Sequence, residues 1–152
     1  MTLVGICGGG NSEQASLTRS LVAALRARDK SVSVVAYAGA STEIDIPGKD
    51  SYEHRRAGAR EVLAVSRLRW ALIHEADPAA RLDMAELLAR LDPVDIVLAP
   101  RFDDAADIRL DIESGGNALA AAHAGQAQMP FQLDRTEQIA DFILNPPPEK
   151  HS

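Results

Sequence analysis

GICGGGNSEQASL, residues 5–17, runs an apolar strand end into three glycines and then into the first turn of a helix. This is the order of a phosphate-binding loop, in which backbone N–H groups and the positive end of a helix meet an anion. A working loop of the form GxxxxGK[ST] also needs a lysine on the β/γ oxygens and a hydroxyl on magnesium. Counted from Gly8, the second glycine falls on Glu13, the lysine on Gln14 and the hydroxyl on Ala15. All three positions have changed. Gly9, Gly10, Asn11 and Ser12 keep a flexible turn, and Ser16 supplies a hydroxyl one place late.

Glu13 puts a carboxylate into the first helical turn, where an anion is favoured, so it stands where a phosphate would. Two unit charges about 4 Å apart at an effective dielectric near 20 interact by roughly 4 kcal/mol, and even half of that outweighs a few backbone hydrogen bonds to a phosphate. Asn11 and Gln14 have the N-cap and N3 spacing of a capping box, which lets the helix satisfy its own first donors. Two readings of the loop stand: a glycine turn leading into a self-capped helix, which the residues favour, and a weakened site for a nucleotide or another anion. No residue of Gly8–Ser16 is assigned a catalytic role.

Working outward, apolar runs recur at LVGIC (3–7), VSVVAYA (32–38), EVLAVS (61–66), WALIHE (70–75) and VDIVLAP (94–100), and read as strands buried on both faces. Between the first two, Leu17, Leu21, Val22 and Leu25 share one helical face, with Arg19, Arg26 and Arg28 off it. The strand, helix, strand order predicts an α/β fold: a mostly parallel sheet with helices on both faces. Further helices are expected at about 51–60 and 83–91, the latter ended by Asp92-Pro93. IRLDIE (108–113) alternates and reads as an edge strand, the stretch 115–129 is ambiguous, and FQLD (131–134) with RTEQIADFIL reads as a closing strand and helix. One domain over residues 1–144 is expected, with a disordered Pro-rich tail over 145–152. Ligands of such a sheet bind at the carboxyl ends of its strands, here the loops 8–12, 38–50 and 99–107.

The 152 residues are 46% hydrophobic, 25% charged and only 4% aromatic, as in a soluble chain with an aliphatic core. A net charge of −6 gives no broad grip on nucleic acid or an anionic membrane. Neither a signal peptide nor a membrane span is read, so a cytoplasmic location is expected. A single cysteine, Cys7, excludes an internal disulfide, and His54, His74, His123 and His151 show no metal-site spacing. Cys7 reads as a buried small hydrophobe, Trp70 as a core or dimer-seam aromatic, and Asp103, Asp104 and Asp107 as an exposed acidic loop in preference to a magnesium site.

The segment IDIPGKDSYEHRRAGAREVL, residues 44–63, is more specific than the loop. Lys49, one of three lysines beside thirteen arginines, sits between Asp45 and Asp50 in a Pro-Gly turn that leads into a helix capped by Asp50 or Ser51. From local chemistry a solvated turn is favoured. In a functional reading, Lys49 with His54, Arg55 and Arg56 meets an anionic phosphate or an acidic patch on a partner.

In order and spacing, DIPGKDSYEHRRAGAREVLAVS (45–66), RWALIHE (69–75), DMAELLARLDPVDIVL (83–98) and FQLDRTEQIADFIL (131–144) resemble the molybdopterin-guanine dinucleotide biosynthesis protein B family. The resemblance spans nearly the whole chain. It implies a P-loop NTPase-like fold, a homodimer, GTP binding with Mg²⁺ and feeble hydrolysis, and an accessory role beside the guanylyltransferase that attaches GMP to molybdopterin. Its nucleotide loop would be Gly8 to Ser16, and its second segment Asp45, Pro47, Gly48, Lys49, Asp50 and Ser51.

Three loops depart from the family together. Besides the glycine loop, AYAGAST (36–42) replaces a Lys-His and further histidines, and Pro100, Arg101, Phe102 and Asp103 replace a Glu-Gly-Phe-Lys type sequence. The expectation is therefore a degenerate member: an adaptor in molybdenum cofactor biosynthesis or delivery. It would have impaired GTP binding, and its partner would be a guanylyltransferase or a molybdoenzyme maturation protein. An active GTP-binding protein and an unrelated anion-binding module on the same fold are the alternatives.

Overall fold

β1 (Thr2–Gly8) feeds through the glycine turn into α1 (Asn11–Arg26), which returns the chain to a short β2 (Val32–Val34). Then follow α2 (Asp50–Arg56), β3 (Glu61–Val65), β4 (Trp70–His74), α3 (Met84–Leu88), β5 (Ile96–Pro100), β6 (Ile108–Glu113), β7 (Asn117–Ala121), β8 (Met129–Gln132) and α4 (Thr136–Leu144). This is a computed structural model, and it describes residues 1–39, 42–81, 83–102, 105–121 and 128–148. Asp103, Asp104, His123, His151 and the end of the Pro-rich tail lie outside the described residues.

The chain divides into two compact units, residues 1–37 with 91–152, and residues 38–90. In the first, six strands form one sheet in the order β2-β5-β1-β6-β7-β8. β2, β5, β1 and β6 run parallel, and β7 and β8 continue the sheet antiparallel. One face carries Val4, Ile6, Leu98, Leu110 and Ile112, packed on Leu17, Leu21 and Leu25 of α1 and on Ile139, Phe142 and Ile143 of α4. Each such side chain, taken fully out of water, contributes about 1.5–3 kcal/mol, so this layer holds the sheet. Arg28 clasps the two helices at the rim, 2.6 Å from Glu137 and 2.9 Å from Asp141. On the reverse face Leu3, Val97 and Ala99 are buried, and a side chain at Gly5 would strike the Phe102 carbonyl.

β6 is an interior strand and not the edge expected from its alternation. Ile108, Leu110 and Ile112 are buried while Arg109 and Glu113 are exposed. Alternation reports burial on one face only, and β7 and β8 extend the sheet past it without changing that pattern.

In the second unit, β3 and β4 pair with each other in an antiparallel hairpin that forms its own two-stranded sheet. The expected burial on both faces is thus corrected for these two runs. Ser66 and Arg69 close the turn through a backbone bond of 2.7 Å and through Ser66 Oγ. Both apolar runs have strand chemistry, but the four-residue connection that fixes their pairing is polar and carries no strong turn signal. Leu63 faces Leu72 and Val65 faces Trp70 on one side of the hairpin, and all four are exposed. On the other side Val62, Ala64 and Ile73 are half-buried, and α2 packs against β3.

Candidate functional site

The glycine loop is closed by its own side chains. Gly8 and Gly9 both have positive φ, at 70° and 58°. A side chain at Gly8 would strike the Ile112 carbonyl, and one at Gly9 would meet Ile112 Cγ2 and Glu13 Oε2, each at 2.7 Å. Glycine is required here on both counts. The helix starts one residue earlier than the capping reading of Asn11 and Gln14 assumed: Gly10 is the N-cap and Glu13 is N3. Glu13 Oε2 accepts the Gly10 N–H at 2.8 Å, a donor that a phosphate loop would offer its ligand.

Gln14, freed from capping, turns inward. It is 8% exposed, and its Nε2 donates to the Gly8 carbonyl at 2.8 Å. Because a carbonyl only accepts, this bond fixes which end of the amide is nitrogen. Oε1 is left buried without a hydrogen-bond partner. Thr18 Oγ1 donates to the Gln14 carbonyl at 2.7 Å, locking the turn that carries it. Asn11, Ser12, Ala15 and Ser16 are exposed around this closed core.

The expected surface over 45–56 separates into inward and outward groups. Pro47 and Gly48 occupy the central positions of a turn closed by the Lys49 N–H on the Ile46 carbonyl at 3.2 Å, with Gly48 at φ 86°. That is the geometry in which proline precedes a left-handed glycine. Asp45 is buried beneath it. Its Oδ1 accepts the Ile46 N–H at 2.9 Å and the Ser51 hydroxyl at 3.3 Å. Arg55 lies 3.0 Å from Glu43, 2.6 Å from Glu75 and 3.6 Å from Asp45, and its guanidinium stands 5.1 Å from the centre of the Tyr52 ring. Hydrogen bonding to Glu75 and Glu43 raises its pKa well above the ordinary arginine value, against desolvation. Arg55, Asp45 and Ser51 therefore hold the turn to the helix. Lys49, Asp50, His54 and Arg56 are exposed. Lys49 and His54 line, with Gly48 and the β3 residues Val62 to Val65, an open cleft of about 560 Å³. α2 begins at Lys49 as N-cap with no side-chain cap, so neither Asp50 nor Ser51 fills that role.

The remaining candidates resolve plainly. Trp70 is 65% exposed, which removes the core reading. Cys7 is half-buried at the end of β1. Asp107 Oδ2 accepts the Leu3 N–H at 2.7 Å and so helps hold β1. Among the described residues, no three or more His, Cys, Asp or Glu side chains are grouped to hold a metal ion, and no helix is long and apolar enough to cross a membrane.

Two features go beyond the sequence reading, which had placed only the general ligand edge at the loops 8–12, 38–50 and 99–107. One is the exposed hairpin face, which needed the pairing register. The other is a groove beside α1 at the ends of β2 and β5, lined by Tyr37 and Arg101 among others. Arg101 holds φ 68°, and this uncommon backbone at the end of a parallel strand has no trace in composition.

A family model described as molybdopterin guanine dinucleotide synthesis protein B (MobB) matches residues 3–129. Two relatives each bear the name molybdopterin-guanine dinucleotide biosynthesis adapter protein. The one from Escherichia coli (strain K12) is 31% identical over 146 residues, covering 85% of this chain and 83% of its own. The one from Haemophilus influenzae is 30% identical over 156 residues, covering 94% and 88%. A crystal structure of molybdopterin-guanine biosynthesis protein B aligns with a TM-score of 0.67 at 21% identity, covering 93% of this chain and 97% of that one. The mostly parallel sheet with its helices is the fold of that structure.

Proposed function

The chain belongs to the molybdopterin guanine dinucleotide synthesis protein B family, and from that premise we propose that it is an adapter in molybdenum cofactor biosynthesis whose own phosphate loop is closed to GTP. The observation that carries this reading is the Glu13 carboxylate on the Gly10 N–H at 2.8 Å. A triphosphate entering the loop would have to displace an anion from the positive end of α1 and face it at close range. Gln14, in the place of the lysine, is bonded to the loop's own Gly8 carbonyl and supplies no charge. The loop has no lysine to neutralise phosphate and no hydroxyl at the position that would hold magnesium, so hydrolysis is no part of the proposal.

The adapter role falls to the surfaces. We assign partner contact, with a guanylyltransferase or a molybdoenzyme maturation protein, to the exposed set Lys49, Asp50, His54 and Arg56, with molybdopterin as the bound cofactor in transit. The hairpin face of Leu63, Val65, Trp70 and Leu72 supports a homodimer. Exposed contiguous apolar residues of this kind mark association surfaces, and aromatic residues anchor them. The setting is cytoplasmic.

Calorimetric titration with GTP and Mg²⁺ tests the closed loop. Wild type should give no binding at micromolar concentrations, and Glu13→Gly, Gln14→Lys and Ala15→Thr together should restore it. Micromolar binding by wild type that Glu13→Lys abolishes would overturn the reading. Pull-down with a molybdenum cofactor guanylyltransferase tests the adapter role directly, and no association with enzyme or pterin would count against it.

A further inference from the structure

Every residue that lines the cleft beside the Pro-Gly turn belongs to the 38–90 unit. One wall is Gly48 to Ser51 with His54, and the other is four consecutive residues of β3, Val62 to Val65. Successive strand residues point to opposite faces, so a cleft that meets all four runs along the edge of the strand and not over one face.

The hydrogen-bond phase of the hairpin fixes what that edge presents. At its two ends the Ser66 N–H donates to the Arg69 carbonyl at 2.7 Å, and the Glu75 N–H to the Arg60 carbonyl at 3.0 Å. Bonded and non-bonded positions alternate in an antiparallel pair, so between these ends Val62 and Ala64 bond to Ile73 and Ala71 of β4. Glu61, Leu63 and Val65 fall on the other phase, and their N–H and C=O groups point away from β4. Among the described residues, no group is bonded to these three backbone positions. Such an edge is a template for a further strand unless something blunts it. β8, at the outer edge of the six-stranded sheet, carries Pro130, whereas β3 has neither proline nor glycine.

Side chains set the chemistry of what fits. Leu63 and Val65 share the exposed side with Leu72 and Trp70, so a strand laid beside β3 continues an apolar face. On the opposite wall Lys49 and His54 make no ion pair among the described residues, and Asp50 is that wall's one carboxylate. Two nitrogen-bearing side chains against one acid favour a carboxylate on the incoming segment.

We propose that the free edge of β3 takes an extended segment of the partner protein as a third strand, with alternating apolar residues and a carboxylate facing Lys49 and His54. Main-chain bonds to Leu63 and Val65 supply the binding, and the carboxylate supplies the choice. The inference rests on the adapter reading above for the existence of a partner.

The test is NMR of the full chain. In the free protein the Val62 and Ala64 amides should be protected from hydrogen exchange, and those of Leu63 and Val65 should exchange freely. The probe is a blocked peptide about eight residues long in which valine and threonine alternate around one glutamate. It should protect Leu63 and Val65. Methylating its backbone nitrogens on the pairing side should weaken it about tenfold. Lysine in place of its glutamate should weaken it about threefold, and Lys49→Glu should reverse that preference. Leu63→Pro deletes a donor from the open edge and no bond within the hairpin, so it should abolish binding while Val62 and Ala64 stay protected. Should that variant unfold, the methylated peptide makes the same test on the wild-type chain. Equal binding of the methylated peptide, or no binding of the parent, would overturn the proposal. Protection of Leu63 and Val65 in the free chain would also overturn it, and a rise of that protection with protein concentration would name a second copy as the occupant. A positive partner pull-down with a failed peptide leaves the adapter reading standing without this edge, and the converse leaves the edge without the adapter.

Discussion

The glycine turn at residues 8–10 and the Pro-Gly turn at residues 46–49 both carry sequence that suggests an anion, and they are built in opposite senses. In the first, the groups that would meet a phosphate are turned on the loop itself: Glu13 takes the Gly10 N–H, Gln14 donates to the Gly8 carbonyl, and Ile112 closes the space beside Gly9. In the second, the internal work is done by Asp45, Ser51 and Arg55, while Lys49 and His54 are left exposed beside an open cleft. A side chain added at Gly48 would meet nothing within 4 Å. Motif residues are thus sorted by whether the fold has already used their hydrogen-bonding capacity, and only those with capacity left can serve a partner.

The largest effect should come from removing what closes the first turn. Ile112 is 4% exposed and belongs to the core as well as contacting the loop. Ile112→Ala should cost about 2–5 kcal/mol in urea unfolding, from lost burial and the cavity left behind. In the other unit Leu68→Ala, at a residue 88% exposed, should stay within about 0.5 kcal/mol of wild type. Similar losses at both positions would break the contrast between a packed and an open region.

Next comes the hairpin. If Trp70 anchors a self-associating face, Trp70→Ser should weaken the dimer by about 2 kcal/mol, roughly thirtyfold in the dissociation constant measured by sedimentation. The isolated fold should be no less stable, since the side chain is already in water. A wild-type protein that sediments as a monomer at high concentration would refute this use of the face.

The two glycine turns can then be compared directly. Gly8→Ala adds a backbone collision to a strained φ and should cost about 1–3 kcal/mol, whereas Gly48→Ala incurs the φ penalty alone, about 1 kcal/mol. Equal costs in denaturant titrations would show that the Ile112 carbonyl gives way and that the first loop is less tightly packed than its contacts imply.

Much of the fold was legible because its strongest signals are local. The Val/Ile/Leu runs of β1 and β5, the Leu17–Leu21–Leu25 stripe of α1 and the Ile139–Phe142–Ile143 stripe of α4 each state their own period. What was not legible depends on pairing. Nothing in EVLAVS or WALIHE says that these strands take each other and leave the main sheet, and nothing in IRLDIE says that two more strands lie beyond it. At the loop, Glu13 was readable as a carboxylate near the seat of a phosphate, but a one-residue shift of the helix start exchanged the roles of Glu13 and Gln14. The ligand edge at the carboxyl ends of β2 and β5 was legible from the parallel order of the strands, but the left-handed backbone of Arg101 there was not.

The smallest effect concerns acid, and it sharpens the same contrast between the units. At the start of β5, Asp95 Oδ2 accepts both the Ser31 N–H and the Ser31 hydroxyl at 2.8 Å, and these bonds hold its pKa below the ordinary 3.8. A depressed carboxylate contributes stability that is present above 3.8 and lost as pH falls through the lower folded value. Arg55 in the other unit has its pKa raised by hydrogen bonding to Glu75 and Glu43, so it stays charged at every ordinary pH and no titration of the arginine itself removes its contribution. Asp95→Asn should therefore lower the urea midpoint slightly at neutral pH, and the gap to wild type should close as the pH is taken below 3.8. Asn keeps an oxygen for Ser31, so what closes is the charge-assisted part alone. A gap that persists unchanged into strong acid would mean that Asp95 holds Ser31 by geometry and not by charge. The six-stranded unit would then owe this anchor to shape, in contrast to the charged cluster at Arg55.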